Sequence, residues 1–198
     1  MIRLATVADV PQILAIYGPF VENTAISFEY EVPSQADFTK RFLKYTEQFP
    51  WLVWEEEGTV LGYAYGSAPF ERAAYRWCAE ASIYLAPQAQ GRGIGKALYA
   101  ALEHILTLQG YEKVYSLITT ANKPSIRFHE AVGYRFMCEM PACGFKLGTW
   151  HGVVWMEKML NSREKPENFP VSAHTVVESN RKLQEILAKL PISIHNKI

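Results

Sequence analysis

The chain has no charge to spare. Lys plus Arg and Asp plus Glu each number 20 in 198 residues, and the formal net charge is zero. Without a net field, neither nucleic acid nor an anionic membrane surface is drawn to it over any distance. Cysteine is scarce as well. Cys78, Cys138 and Cys143 are odd in number and show no Cys-x-x-Cys or His-rich spacing. That pattern argues against a metal site, and for free thiols in a reduced cytoplasm. No apolar run reaches membrane length, and Met1 leads into structured-looking sequence without a signal-peptide pattern. Internal repeats and low-complexity tracts are missing too. What remains is ordinary globular composition, 49% hydrophobic and 20% charged, enough for one domain with a sizeable core. The expectation is a cytoplasmic protein that acts on a small molecule, with no nucleic-acid or membrane partner.

The most informative stretch runs from Ile83 to Ala97 and reads Ile-Tyr-Leu-Ala-Pro-Gln-Ala-Gln-Gly-Arg-Gly-Ile-Gly-Lys-Ala. A strand-like apolar run ends at Pro87, and glycines then alternate with Arg92 and Ile94. A helical apolar period follows through Ala97, Leu98, Ala101, Leu102, Ile105 and Leu106. Strand, glycine loop and helix start make an anion cradle. Glycine lets the backbone turn tightly and come close to a ligand, and the first helical turn presents unpaired N–H groups at the positive end of the dipole. Two familiar cradles are missing a required residue. A Walker loop needs Ser or Thr after the lysine, and Lys96 is followed by Ala97; a Rossmann fingerprint needs Gly-x-Gly-x-x-Gly, and Gly91, Gly93 and Gly95 are evenly spaced. What fits is Gln90-Gly91-Arg92-Gly93-Ile94-Gly95, which resembles the Gln/Arg-x-x-Gly-x-Gly/Ala signature of the GCN5-related N-acetyltransferase (GNAT) superfamily. The resemblance implies acetyl-coenzyme A (acetyl-CoA) as co-substrate, its pyrophosphate held by the loop amides, with Lys96 beside them and no metal. The other reading is an ordinary glycine-rich turn before a helix.

Caps and turns outline the rest. Ile2 to Ala5 reads as a first strand, with Thr6 and Asp9 as candidate caps for a helix through Ile13, Leu14, Ile16 and Tyr17. Ser34 opens a second helix with Phe38, Phe42, Leu43 and Tyr45 on its apolar face. Trp51 to Glu56 and Thr59 to Ser67 form a hairpin about Glu57-Gly58, and Trp77 to Leu85 feeds the glycine loop. A helix from about Gly95 to Gln109 stops at Gly110, strand Lys113 to Ile118 follows, and Asn122 to Ala131 is a short helix stopped by Gly133. Two final strands are expected, Arg135 to Met140 and Val153 to Met159. This order is that of the acetyltransferase fold, an α+β (mixed α/β) arrangement with a central, mostly antiparallel mixed sheet and helices on both faces. The resemblance covers residues 1–160, and residues 161–198 read as a linker plus a C-terminal helix.

Four stretches narrow the resemblance to the phosphinothricin acetyltransferase branch, whose members acetylate the α-amino group of amino-acid analogues. They are Thr24-Ala25-Ile26-Ser27-Phe28-Glu29, Tyr75-Arg76-Trp77-Cys78-Ala79-Glu80, His129-Glu130-Ala131-Val132-Gly133-Tyr134 and Gly144-Phe145-Lys146-Leu147-Gly148-Thr149-Trp150-His151, the last expected between the final two strands. The implied acceptors are of the phosphinothricin, methionine sulfone or methionine sulfoximine type.

An amine with a pKa of about 8 to 10 is protonated near neutral pH and must lose a proton before it can attack a thioester. Glu80 is the candidate base, since its apolar neighbours on the strand should raise a carboxylate's pKa toward working pH. The branch carries a Glu at the matching position. The alternative is a rim carboxylate paired with Arg72 or Arg76. On this fold the strand of Ile83, Tyr84 and Leu85 should part from the Tyr115 to Ile118 strand, leaving backbone N–H groups of residues 83–85 for the pantetheine arm and the developing oxyanion. Asn122 and Ser125 fall where the family places contacts to that arm, although Asn122 before Lys123-Pro124 is also a sound N-cap. His129 stands where much of the superfamily has a proton-donating Tyr; it reads as an acid for the departing thiolate, a coenzyme contact, or a packed core histidine. Arg72, Tyr75 and Arg76, with Phe28 and Tyr30 opposite, are the candidate acceptor pocket, because an Arg fork grips a carboxylate.

The tail shows apolar residues at Val176, Leu183, Ile186, Leu187 and Leu190, a helix that packs on its own domain or on a dimer partner. Aromatics in Phe145 to Trp155 point to a homodimer, with Lys146 to His151 near the partner's acceptor site. Two other functions fit the same residues: a non-catalytic acyl-CoA-sensing module, and an acetyltransferase acting on a protein or polyamine amine. Glu80 together with the Arg-lined acceptor region favours the enzyme.

Overall fold

Local chemistry sets the ends of the elements. In the computed structural model, which describes residues 1–162, 168–180 and Leu183, strand β1 (Ile2–Leu4) leads into a turn fixed by Asp9. Its carboxylate accepts from the Thr6 backbone N–H at 2.7 Å and grips Arg3, after which helix α1 (Val10–Asn23) begins. Ser34 caps helix α2 (Gln35–Thr46) by accepting from the Asp37 N–H at 3.1 Å. Strands β2 (Trp51–Glu56) and β3 (Thr59–Ser67) join through Glu57 and Gly58, both at positive φ, the mirror-image turn that matches strand twist. Strand β4 (Cys78–Leu85), helix α3 (Ile94–Gln109), strand β5 (Lys113–Thr119), helix α4 (Lys123–Ala131), strands β6 (Arg135–Lys146) and β7 (Thr149–Met159) and helix α5 (Ala173–Ser179) follow. Gly110, at φ 98°, terminates α3.

The seven strands lie in the order β1-β2-β3-β4-β5-β7-β6, antiparallel except for the β4–β5 pair. Each face carries its own core. On one side α3 packs Leu98, Leu102 and Ile105 against Ala79, Ala81, Val114 and Met156; on the other, α1 and α2 place Ile13, Tyr17, Phe38 and Phe42 against Trp51, Val53 and Tyr63. The expected fold class, element order and covering of both faces all hold.

Two boundaries differ from expectation. Strands β6 and β7 run through most of the Gly144 to His151 stretch, which pairs Gly144 with His151, Phe145 with Trp150 and Lys146 with Thr149. The connection shrinks to Leu147 and Gly148, both at positive φ. Tail helix α5 is described only to Ser179, with Ala173, Val176, Val177 and Leu183 buried in the α3-side core. The expected helix through Ile186, Leu187 and Leu190 lies outside the described residues.

Candidate active site

The site grows from one break in the sheet. Strands β4 and β5 pair only from Cys78 to Glu80, opposite Lys113 to Tyr115; above Glu80 they part. Backbone alternation decides what the gap receives. Ala86 N–H donates to Leu61 O at 2.9 Å, so in this antiparallel pair the N–H of Tyr84 is directed at β3 and those of Ile83 and Leu85 face the gap. The expectation for residues 83–85 is corrected to that extent, since the Tyr84 amide is committed to the sheet.

A cleft of about 590 Å³ opens at this gap and runs to the glycine loop. Ile83, Tyr84 and Leu85 line it from β4, and Asn122 and Ser125 from the start of α4. Gln90, Gly91, Gly93, Ile94, Gly95 and Lys96 close its far end. Gly91 and Gly93 have φ of 71° and 78°, a left-handed backbone that L side chains rarely adopt, and a Cβ on either would stand in open space. Gly95 sits in the first turn of α3, where a Cβ would come within 3.4 Å of Leu85 and Phe128. Glycine loop, helix start and free strand amides suit a ligand with a phosphate head and an amide-bearing arm. Acetyl-CoA fits this donor set. Arg92 is the exception among the expected residues. Its guanidinium turns away to Glu56 at 2.7 Å and does not line the cleft, because Glu56, on the neighbouring hairpin, offers a fixed carboxylate.

Below the cleft a small polar cavity of about 50 Å³ lies between β4 and β5. His129 is there, 2% exposed, bonded through Nε2 to the Tyr99 hydroxyl at 2.9 Å and through Nδ1 to the Ser125 carbonyl at 2.8 Å. Burial lowers its pKa to about 4, so the ring is neutral near pH 7, with Nδ1–H donating to the carbonyl and Nε2 accepting from Tyr99. The Ser116 hydroxyl donates to Ala81 O at 3.0 Å in the same cavity. A neutral ring with both nitrogens engaged fits the packed core histidine better than the acid or the coenzyme contact. Tyr99 and Ser116 were missed in the sequence, where they read as one more helix residue and one more strand residue.

Glu80 stands at the lower corner of the gap. Ala79 and Ala81 enter the α3-side core, so Glu80 faces the opposite side, as does Tyr84, whose ring lies 5.0 Å from Tyr17. It is half-buried, and burial is the one cause that pushes its carboxyl up from the usual range. Among the described residues no Arg holds it down. Arg72 and Arg76 are exposed, neither forms an ion pair among the described residues, and the Arg76 guanidinium lies 5.1 Å over the Phe169 ring. The face that Glu80 shares with Tyr115 is aromatic. Phe70 stacks on Trp155 at 5.8 Å and lies 4.5 Å from Tyr75 and 6.3 Å from Tyr115.

The wall opposite is the loop after α1, and its anchoring is a surprise. Lys146, 4% exposed, donates to Val21 O at 2.6 Å and Ser27 O at 2.7 Å within its own chain. Desolvation lowers its pKa, with Glu29 partly opposing. The Tyr30 hydroxyl donates to Phe145 O, and the Phe28 ring covers Gly144 and lies 6.4 Å from the His151 ring. Lys146 is therefore spent inside the chain and is not presented to a partner's site, which corrects the expectation; Phe145, Leu147 and Trp150 beside it stay exposed.

The chain matches the family profile described as Acetyltransferase (GNAT) domain over residues 2–155. It is 34% identical over 157 residues to the phosphinothricin N-acetyltransferase of Streptomyces viridochromogenes, covering 79% of this chain and 86% of that one. It is 36% identical over 168 residues to the L-methionine sulfoximine/L-methionine sulfone acetyltransferase of Pseudomonas aeruginosa, covering 81% and 94%. Among solved structures, a GNAT superfamily phosphinothricin acetyltransferase from Sinorhizobium meliloti in complex with acetyl-CoA superposes with a TM-score of 0.81 at 38% identity, covering 85% of this chain and 94% of that one.

Proposed function

We propose, for a chain that belongs to the GNAT acetyltransferase family, that its amine acceptor is a small amino acid or amino-acid analogue of the phosphinothricin, methionine sulfone or methionine sulfoximine type. The family makes it an acetyl-CoA-dependent N-acetyltransferase. Acetyl-CoA supplies the activated acetyl thioester, and everything else asked of the site falls to the chain's own residues. The glycine loop and the first turn of α3 hold the pyrophosphate through backbone N–H groups, with Lys96 adding a cation. The N–H groups of Ile83 and Leu85 serve the arm and the negative charge that develops on the thioester oxygen. Asn122 and Ser125 support the arm from α4.

The observation that carries the reading is the position of Glu80. It is a half-buried carboxylate with a raised pKa at the point where β4 and β5 part, and among the described residues no cation pairs with it. Its carboxylate removes a proton from the acceptor ammonium, directly or through a water, and the freed nitrogen lone pair attacks the thioester carbon. As the C–N bond forms the C–S bond breaks, and coenzyme A leaves as a thiolate, which at a thiol pKa of about 8.5 needs no acid to depart. The proton on Glu80 passes to that thiolate or to water. Phe28 and Tyr75 flank the acceptor, and Arg72, exposed and without an ion pair among the described residues, grips its carboxylate. His129 acts as a positioning residue that fixes Tyr99 under the gap. Further, we place the enzyme in the cytoplasm as a homodimer, with Cys78, Cys138 and Cys143 unpaired as a reduced compartment allows.

The test is a thiol-release assay with acetyl-CoA across amino acids, methionine sulfone, methionine sulfoximine and phosphinothricin, with the product identified by mass. Release coupled to Nα-acetylation of one of these supports the reading. Release only with polyamines or peptides overturns the acceptor class, and coenzyme binding without any release favours the sensing module.

A further inference from the structure

The tail beyond the family-matched residues 2–155 builds something of its own. Residues 168–173 run along the lower edge of the sheet as a strap. Trp77 Nε1 donates to Asn168 O at 3.1 Å, Gln48 Nε2 to Pro170 O at 3.1 Å, Gln109 Nε2 to Val171 O at 2.7 Å, and the Val171 N–H to Gln109 O at 3.0 Å. The Phe169 ring stacks on Trp77 at 5.1 Å and carries the Arg76 guanidinium on its face. Between this strap and the β3–β4 loop lies a cavity of about 360 Å³ with five aromatic residues in its lining, Phe49, Phe70, Tyr75, Tyr111 and Phe169, and with Gln48, Glu71 and Arg76 as its polar members.

This cavity adjoins the Glu80 face. Cys78, in its lining, stands two residues before Glu80 on β4 and so shares its face, about 7 Å away. Tyr115, the register partner of Glu80, lies on the same face of the sheet. Phe70 and Tyr75 belong to the cavity and to the aromatic cluster on Trp155 and Tyr115 alike. An acceptor with its α-amine at Glu80 would reach the cavity with its side chain. We infer that this tail-built cavity receives the acceptor's side chain and makes the enzyme favour amino acids with an aromatic or large apolar side chain over those with a small one. The inference rests on the amino-acid reading above, and it adds the substrate class and the residue, Phe169, that sets it. An aromatic wall rewards a flat apolar group, while a methyl side chain leaves it unfilled.

The test compares full-length wild type with Phe169→Ala and Ala68→Leu, the second narrowing the cavity from the β3 side. Steady-state rates are measured with L-phenylalanine, L-alanine and methionine sulfone. Wild type should show kcat/KM for phenylalanine roughly 10-fold or more above alanine, the scale on which apolar pockets discriminate. Both variants should lose most of that preference through acceptor KM, with rates on alanine and the KM of acetyl-CoA unchanged. Because Phe169 stacks on Trp77, phenylalanine added with coenzyme A should also perturb Trp77 fluorescence in wild type and not in Phe169→Ala. If wild type acetylates methionine sulfone or alanine but shows no preference for phenylalanine, the inference falls and the amino-acid reading stands. No acetylation of any amino acid overturns both. Equal losses on every acceptor would make the strap mere support for the loop and would overturn the inference too.

Discussion

Lys146 Nζ donates to Ser27 O at 2.7 Å across 119 residues of chain, tying the tip of the last hairpin to the loop after α1. The same ammonium holds Val21 O, a carbonyl in the last turn of α1, where a cation is favoured. Ser27 in turn shares a hydrogen bond with Tyr17 at 2.7 Å inside the α1–α2 core. One buried cation thus joins hairpin, loop and helix into a single unit, whose Ile26 lines the cleft and the cavity at the β4–β5 gap. Lys146→Met keeps the stem and removes the donor, leaving two buried carbonyls unpaired. It should cost about 1–3 kcal/mol of stability and raise acceptor KM by roughly 10-fold with the KM of acetyl-CoA unchanged. Thermal melts and steady-state kinetics check both, and an unchanged acceptor KM in a destabilised protein would leave Lys146 with a structural part only.

His129 gives a stability prediction whose sign follows from its lowered pKa. The fold favours the neutral ring, so its contribution is fully present above about pH 6.5 and is lost as pH falls from there through its folded pKa of about 4. A shift of that size corresponds to about 3 kcal/mol. Denaturant melts between these pH values should lose stability in wild type and much less in His129→Gln. Equal slopes in the two proteins would mean that the ring charges freely in the folded state.

Most of the fold was legible because its punctuation is local. Ser34, the Glu57-Gly58 turn, Gly110 and Asn122 each fix an element end within a few residues, and the glycine loop carries the family resemblance that implies the coenzyme end. The hairpin of β6 and β7 was under-read because Gly144, Gly148 and Gly152 interrupt the alternation that marks a strand, whereas Gly144 is glycine because Phe28 lies against it. Lys146 misled for a related reason: in an aromatic-rich stretch it reads as reaching a partner's acceptor site, and its acceptors Val21 and Ser27 are far off in sequence. Tyr99, Ser116 and His129 meet through a parallel strand pair and a helix crossing, which no periodicity shows. Arg76 and Arg92 look alike as exposed cations in loops, yet one lies on Phe169 and the other on Glu56.

At the coenzyme end, Gly93 carries φ 78° as the residue just before α3. A β-branched side chain there is strained by more than the 1–2 kcal/mol or so that a left-handed residue costs, and its atoms enter the space of the cradle. Gly93→Val should weaken coenzyme A binding at least 10-fold by calorimetry, while Lys96→Ala, which leaves the amides in place, should weaken it only a few-fold. Undiminished affinity in a folded Gly93→Val protein would remove the loop from the account.

Edge strand β6 and its hairpin expose Phe136, Phe145, Leu147 and Trp150, a set that a lone chain would leave in water. Light scattering at micromolar concentration should give the mass of a homodimer, and Trp150→Asp should shift it toward monomer. A monomer mass for wild type, with activity unaffected by dilution, would show that each site is complete in one chain.

The central claim is that Glu80 takes the proton from the acceptor amine, and the pH–rate profile of Glu80→Gln tests it most directly. Burial raises the wild-type carboxyl, so kcat/KM should climb with pH as Glu80 deprotonates, on a limb lying above the ordinary Glu value. Glutamine keeps the size and removes the basicity. The variant should lose that limb and turn over about 10²- to 10⁴-fold more slowly, with coenzyme affinity unchanged. Near-wild-type turnover across about pH 6 to 9, with the acidic limb still present, would contradict the account and leave Glu80 holding the substrate without serving as its base.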